Sequence, residues 1–206
     1  MFVKVCGITR REDAAAAVDA GARALGFVFW PKSPRFVDPF HARAIVAQLP
    51  PFVTAVGLFV NQPHEYVTGV ASLVRLGAVQ LHGDESIAFA ESLRQPVIRA
   101  LTLGDRIDEW PTRMRVLLDA HDPDRRGGTG QTINWTAAAV VATSRPILLA
   151  GGITPENVAE AVARVRPFGI DVSSGVEHSP GIKDHNKIRA LFEALHHATS
   201  DVTARS

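Results

Sequence analysis

Polar side chains that could take part in proton transfer recur near the ends of short apolar runs. Residues two positions apart on a β-strand face the same side, so each of four such runs directs its polar residues to one face. A packed core alone would not select these groups, because a buried polar group costs free energy unless it is paired. A thiol, two carboxylates, an imidazole and an ammonium group on one surface suit general acid–base chemistry. The pairs are Lys4 and Cys6, Gln80 and His82, Leu117 and Asp119, and Asp171 and Ser173.

Each of these residues also has an ordinary structural explanation. A lone cysteine such as Cys6 is usually a small buried side chain, and Lys4 could pair with an acid or extend its amine to solvent. Asp119 could cap a helix or form a turn, and His82 could be a structural histidine with satisfied hydrogen bonds. The two explanations differ in whether these side chains meet in the folded chain.

The elements that would position these residues alternate between strands and helices. Eight short runs rich in Val, Ile, Leu and Phe predict parallel strands, and the Ala-rich segments between them predict right-handed helical crossovers. Eight such units fit a closed (β/α)8 barrel or an open doubly wound sheet. The α/β TIM barrel is favoured because polar residues at several strand ends would converge on one mouth. The predicted strands are residues 3–6, 24–29, 55–60, 78–82, 97–101, 115–119, 146–150 and 169–173.

Several helix ends are marked by their capping residues. Thr9 and Glu12 form a Thr-x-x-Glu capping box ahead of the first helix, and Gly21 is expected to end that helix with a positive φ. Thr154 is expected to cap the helix that follows the seventh strand. The last helix is predicted over about residues 184–197, with one apolar face.

Length and composition limit the classes of function. The 206 residues suit one barrel domain, expected over residues 1–198, with a short polar C-terminal tail at 199–206. A net charge of +1 gives no general attraction to nucleic acid or an anionic membrane, so neither is an expected partner. Cys6 is the single cysteine, and the sequence has neither a signal-peptide pattern nor an apolar run of about 18 residues. A cytoplasmic protein is expected.

Glycine-rich loops at the predicted mouth have the composition of a phosphate site. Barrels commonly bind phosphate through backbone N–H groups after strands seven and eight, although ordinary glycine turns are an alternative. The glycine patterns of dinucleotide and nucleoside triphosphate sites are absent. A phosphate site beside acid–base groups, without an evident metal cluster, favours a phosphosugar isomerase. The candidate phosphate-binding residues are Gly128, Gly151, Gly152, Ser173, Ser174 and Gly175.

Eight motifs, in order along nearly the whole chain, carry a family resemblance. Together they closely resemble the phosphoribosylanthranilate isomerases of tryptophan biosynthesis. Each motif is weak alone, but the ordered set from residue 4 to about residue 190 is specific. The motifs are KVCGIT at 4–9, PKSPRFV at 31–37, VQLHGDE at 79–85, LLDA at 117–120, GGTG at 127–130, LAGGITPENV at 149–158, DVSSGVE at 171–177 and PGIKD at 180–184.

The resemblance implies a cofactor-free, metal-free Amadori rearrangement of N-(5-phosphoribosyl)anthranilate to 1-(o-carboxyphenylamino)-1-deoxyribulose 5-phosphate. Asp119 aligns with the family's general acid and Cys6 with its general base. Arg35 matches an arginine that approaches the anthranilate carboxylate, and Asp171 matches a carboxylate near the sugar hydroxyls. His82 and Lys4 join the expected substrate site. We also hypothesise that Lys4 lowers the pKa of the Cys6 thiol.

Other functions remain open at this point. The dual-substrate isomerase of histidine and tryptophan biosynthesis shares the chemistry, but it has an aspartate as its base where this chain has Cys6. A metal-dependent phosphosugar epimerase would need His82, Asp119 and Asp171 as ligands, which is a thin set. A phosphate-binding barrel or regulatory subunit without activity would need neither Cys6 nor Asp119. A homodimer and a monomer are both compatible with the sequence.

Overall fold

Eight parallel strands close into a barrel in the computed structural model, which describes residues 1–120 and 133–203. The strands follow one another around the barrel in chain order, and the first pairs with the eighth to close it. The predicted (β/α)8 barrel is therefore confirmed, and each predicted strand overlaps an observed one. The strands are β1 Phe2–Cys6, β2 Ala24–Val28, β3 Thr54–Phe59, β4 Ala78–Leu81, β5 Val97–Leu101, β6 Arg115–Leu118, β7 Ile147–Leu149 and β8 Gly169–Val172.

Helices cover the outside of the barrel. A short antiparallel hairpin of β9 (Glu177–Ser179) and β10 (Ile182–Lys183) follows β8 and leads into the last helix. None of the helices in the described ranges has the length and apolar character needed to cross a membrane. The helices are α1 Arg11–Ala20, α2 Pro39–Val46, α3 His64–Val74, α4 Ile87–Ser92, α5 Trp135–Ser144, α6 Val158–Val165 and α7 His185–Thr203.

The connection between β5 and β6 differs from the expected helix. It contains a single 3-10 turn, Ile107–Glu109, because Asp105 turns the backbone back on Thr102 and Pro111 cannot continue a helix. Arg145, which follows α5, donates to four carbonyl oxygens of this irregular segment, two of which, Ile107 and Pro111, also accept a backbone N–H. Its acceptors are Ile107, Trp110, Pro111 and Met114, at 2.8 to 3.2 Å.

Strand alternation divides the buried residues between two regions. Residues that point inward form a small cluster of mainly Ala, Val, Ile and Leu inside the barrel. Residues that point outward join the helices in the larger core, where each fully buried Leu, Ile or Phe contributes about 1.5–3 kcal/mol. Lys4, Gln80 and Asp171 are buried polar residues on the inward face of their strands, as their spacing predicts.

Two of the predicted helix starts are wrong. Arg10, not Thr9, is the N-cap of α1, and the Thr9 hydroxyl instead donates to the carbonyl of Gly181 in the β9–β10 turn. The Thr9 hydroxyl that was predicted to cap α1 is therefore engaged in a tertiary hydrogen bond instead. The end of α1 is confirmed, because Gly21 has φ 113° and its N–H bonds back to the helix.

The helix predicted from Thr154 begins at Val158 instead. Asn157 explains the delay: its Oδ1 accepts from the Thr154 N–H at 2.9 Å, and its Nδ2 donates to the Gly152 carbonyl at 2.8 Å. These bonds hold residues 154–157 in a turn that faces the barrel mouth.

The last helix, α7, begins as predicted and ends later than predicted. Asp184 caps it, since its Oδ1 accepts from the N–H groups of Asn186 and Lys187 at 2.9 and 3.2 Å. It extends to Thr203, beyond residue 197 and into the segment expected to be a tail. The division into a domain at 1–198 and a tail at 199–206 stays a prediction.

Candidate active site

The carboxyl ends of the barrel strands bring the predicted polar residues together. Cys6 ends β1, His82 follows β4, Asp119 follows β6, and Asp171 lies on β8. Parallel strands in a closed barrel place all these positions at one mouth. A cleft at this mouth is lined by Asp119, Ala150, Gly151, Gly152, Ile153, Asp171, Val172, Ser173 and Ser174.

A buried ion pair joins the first strand to the last. Lys4 on β1 pairs in register with Asp171 on β8, and its Nζ donates to Asp171 Oδ1 at 2.8 Å. The Lys4 side chain has no exposed surface, so a direct contact with substrate would require Asp171 or Cys6 to move. Burial acts to lower the pKa of Lys4, but Asp171 and the Cys6 thiol raise it well above its usual value. Lys4 therefore stays charged.

Cys6 lies beside Lys4 in a space that a glycine leaves open. Gly26 on β2 pairs in register with Cys6, and a Cβ at that position would lie 2.6 Å from Cys6 Sγ and 3.1 Å from Lys4 Nζ. The thiol is almost fully buried, and burial raises its pKa above the usual value. Lys4 and Lys183 act in the opposite direction. The hypothesis that Lys4 favours the thiolate is correct in sign, but burial outweighs it and a net lowering is wrong.

Asp119 faces a histidine across the mouth. Its Oδ2 lies 3.5 Å from His82 Nε2, and its Oδ1 accepts from the N–H of Ala120 at 2.8 Å. The other ring nitrogen of His82 lies 3.2 Å from Gln80 Nε2. If the Gln80 amide donates to this nitrogen, the remaining ring proton sits on Nε2 and points to Asp119. The residues predicted to share the mouth thus form a connected row from Gln80 to Asp119.

The two glycine-rich loops after β7 and β8 approach each other beside Asp119. Gly151 and Gly152 have φ 77° and 65°, a conformation that L-residues with side chains rarely adopt. Gly175 packs so closely that a Cβ there would lie 1.9 Å from the carbonyl oxygen of Ile153. Ser173 and Ser174 line the cleft, whereas Gly128 lies outside the described residues. Backbone N–H groups in such loops suit an anion.

Arg35 reaches the mouth from the loop after β2 and is held there by a residue without a role in the sequence prediction. Its guanidinium makes a two-point contact with Glu177, with Nε to Oε1 at 2.9 Å and Nη2 to Oε2 at 2.7 Å. Lys183 Nζ donates to the same carboxylate at 2.9 Å. Glu177 and Lys183 belong to the quoted DVSSGVE and PGIKD motifs, which are the sequence features that could have identified them.

A metal centre is not supported by the geometry. Within residues 1–120 and 133–203, no three or more His, Cys, Asp and Glu side chains are grouped to hold a metal ion. The set of His82, Asp119 and Asp171 required by the epimerase alternative is therefore not assembled. Asp171 is paired with Lys4 and Asp119 with the backbone of Ala120.

Comparison with known proteins connects this mouth to a family. The family model for N-(5'-phosphoribosyl)anthranilate isomerase matches residues 3–194, which is nearly the whole chain. The chain belongs to this family. Phosphoribosylanthranilate isomerase from Pseudomonas fluorescens (strain Pf0-1) is 52% identical over 198 residues, covering 93% of this chain and 97% of that protein. The resemblance found in the sequence is confirmed, and with it an intramolecular isomerase of tryptophan biosynthesis.

Solved phosphoribosylanthranilate isomerases have the same fold. The enzyme from Thermotoga maritima is 43% identical, with a TM-score of 0.86 over 96% of this chain and 99% of that chain. A second structure of such an isomerase is 42% identical, with a TM-score of 0.83 and the same two coverages. That isomerase is in complex with reduced 1-(o-carboxyphenylamino)-1-deoxyribulose 5-phosphate.

Proposed function

We propose that this barrel isomerises N-(5'-phosphoribosyl)anthranilate with Asp119 as general acid and Cys6 as general base. The observation that carries the proposal is the placement of a carboxyl and a thiol at one mouth, with a glycine-rich anion cradle between them. Asp119 follows β6 and Cys6 ends β1, and the cradle loops follow the two intervening strands, β7 and β8. An acid and a base on either side of a bound sugar phosphate suit proton transfer between neighbouring carbons.

In the first step, Asp119 donates a proton to the ribose ring oxygen. The bond between that oxygen and C1 breaks, and the nitrogen lone pair forms a C1–N iminium. The Cys6 thiolate then removes the proton from C2, which the adjacent positive charge makes more acidic. The electron pair returns to nitrogen and gives an enolamine, which takes up a proton at C1 and loses its C2 hydroxyl proton to become the ketone. No electron is gained or lost overall.

The substrate's two anionic groups have separate candidate partners. The phosphate is assigned to the backbone around Gly152, Ser174 and Gly175, with Gly151 and Ser173 shaping the loops. Gly128, which lies outside the described residues, is proposed as a further phosphate contact. The anthranilate carboxylate is assigned to Arg35, whose planar fork suits such an anion. Support comes from the cleft at these loops and from the position of Arg35 at the mouth.

The remaining polar residues are assigned to the sugar. Asp171 has one oxygen engaged by Lys4 and also lines the cleft, so its second oxygen can accept from a sugar hydroxyl. His82 faces Asp119 and can contact the substrate or orient the acid. Lys4 is assigned to holding Asp171 and Cys6 in place.

Turnover tests these roles. Phosphoribosylanthranilate is generated in the cuvette and its fluorescence loss followed for wild type, Cys6→Ser, Asp119→Asn and the surface control Asp108→Asn. Loss of an acid or a base should lower kcat by about 100-fold or more, with the control near wild type. Variants of Cys6 and Asp119 within a few-fold of wild type would remove these residues from the mechanism. An inactive wild type would return the function to the binding-only alternative.

The cellular location and the oligomeric state are proposed on separate grounds. A cytoplasmic location is proposed because the mechanism needs Cys6 as a free thiol, which reducing conditions preserve. A homodimer is one candidate state, since the isomerase from Thermotoga maritima, 40% identical with a TM-score of 0.85, is described as dimeric and also exists as generated monomers. Sedimentation of the purified chain distinguishes a dimer from a monomer.

A further inference from the structure

The Arg35 side chain crosses the mouth from the second strand toward the eighth. Its stem passes over Gly7, which directly follows the Cys6 thiol, and a Cβ on Gly7 would lie 2.8 Å from Arg35 Cδ. The guanidinium then meets Glu177, which lies after β8 and 142 residues away in sequence. The contact is bidentate, and both side chains are largely buried. Arg35 is therefore fixed at both ends of its side chain.

Glu177 is the common partner of several donors. Besides Arg35, its carboxylate accepts from Lys183 Nζ at 2.9 Å and from the Gly181 N–H at 3.2 Å. The Lys183 side chain has no exposed surface, and its Nζ also donates to the Ser173 carbonyl at 3.1 Å. Two buried cations thus share one carboxylate. Arg35, Lys183 and Glu177 together carry one excess positive charge beside the mouth, which an anionic substrate group would neutralise.

We propose that Glu177 is a positioning residue that aims the Arg35 guanidinium at the carboxylate of the substrate's aromatic ring, and so selects substrates that carry this group. The inference rests on the assignment of Arg35 to that carboxylate under the proposed function. Glu177 itself does not contact substrate; it acts through Arg35.

The physical basis is the entropy of a long side chain. A free arginine loses roughly 2 kcal/mol of rotamer entropy when it is fixed, and a contact made before substrate arrives removes that cost from the binding step. Glu177 engages Nε and Nη2, and Nη1 has no hydrogen-bond partner among the described residues. That nitrogen is left to donate to an incoming carboxylate. Without Glu177, Arg35 would also face Lys183 with no anion between them.

Two stable ligands isolate the carboxylate contact. Reductive amination of ribose 5-phosphate with anthranilate or with aniline gives N-aryl-1-amino-1-deoxyribitol 5-phosphates that differ only in the ring carboxylate. Calorimetry gives the Kd of each ligand for wild type, Arg35→Leu and Glu177→Gln. The Kd of the aniline-derived ligand divided by the Kd of the anthranilate-derived ligand measures carboxylate selection. We expect this ratio to fall by about 10- to 100-fold in Arg35→Leu and by about tenfold in Glu177→Gln. In turnover, Glu177→Gln should raise KM far more than it lowers kcat.

The double variant and a charge-conserving variant complete the test. If Glu177 acts through Arg35, Glu177→Gln in the Arg35→Leu background should change the Kd ratio by less than about twofold. Glu177→Asp keeps the charge between the cations but shortens the reach, so it should also lower the ratio, and it replaces Glu177→Gln if that variant does not fold.

The outcomes separate this inference from the proposed function. Equal weakening of both ligands in the Glu177 variants, with the ratio kept, would show a merely structural role and overturn the inference while leaving Arg35 in place. An unchanged ratio in Arg35→Leu would overturn the assignment of Arg35 itself, and the inference with it. A lowered ratio in both single variants that does not add in the double variant supports both.

Discussion

Replacing Lys4 by methionine removes the ammonium group that favours the Cys6 thiolate. A Cβ on Gly26 would lie 2.6 Å from Cys6 Sγ and 3.1 Å from Lys4 Nζ, so these two atoms are less than about 6 Å apart. At an effective dielectric constant of about 20, their attraction is about 3 kcal/mol and favours the thiolate. The pKa is already raised by burial, and Lys4→Met should raise it further.

The opposite change is expected at Asp171. This carboxylate raises the pKa of Cys6, so Asp171→Asn removes a repulsion and should lower that pKa. A base works in its deprotonated form, so the alkaline rise of kcat/KM should move to higher pH in Lys4→Met and to lower pH in Asp171→Asn. The two variants break the same buried pair, so a general loss of stability cannot produce shifts of opposite sign.

Alkylation by iodoacetamide measures this pKa directly. Cys6 is the single cysteine of the chain, so the pH dependence of the alkylation rate belongs to it alone. Arg94→Met, which removes an exposed cation between α4 and β5, serves as the control and should leave the profile unchanged. Thermal unfolding confirms that each variant is folded before titration. A Lys4→Met profile that coincides with wild type would refute the electrostatic account of Cys6.

Two further substitutions test packing beside the mouth and beneath it. Gly26→Ala places a Cβ 2.6 Å from Cys6 Sγ and should lower kcat at least about tenfold, because it displaces the thiol. The control Gly69→Ala, whose added Cβ has no atom within 4 Å, should retain activity. Equal kcat values for the two variants would contradict this packing. Arg145→Met removes the guanidinium from four carbonyl groups, of which only Ile107 and Pro111 keep a backbone N–H partner among the described residues. It should cost about 3–5 kcal/mol, seen as a fall of about 10 °C in the thermal midpoint. A midpoint near that of Arg94→Met would contradict it.

The barrel could be predicted from the sequence because its information is local and periodic. Each strand is a short apolar run, and inward residues such as Lys4, Gln80 and Asp171 follow from alternation alone. The position of the polar residues at the mouth could also be predicted, because the carboxyl ends of parallel strands converge in a barrel whatever the details of its helices.

What the sequence could not predict depends on contacts between distant residues. Thr9 fits a capping box locally, but Gly181 takes its hydroxyl in the folded chain. The pKa of Cys6 depends on how deeply the thiol is buried, which residue spacing does not measure. Glu177 received no role because its partner Arg35 is 142 residues away, and no local pattern pairs the two.

The ion pair between Lys4 and Asp171 also constrains the order in which the chain can fold. These residues lie 167 positions apart on the two strands that close the barrel. Asp13 reinforces the same seam, since it accepts from the backbone of Lys183 and contacts His185. A nascent chain that has completed only the first seven strands would have to bury an unpaired ammonium group in order to close. We therefore expect the barrel to stay open during synthesis until β8 has left the ribosome.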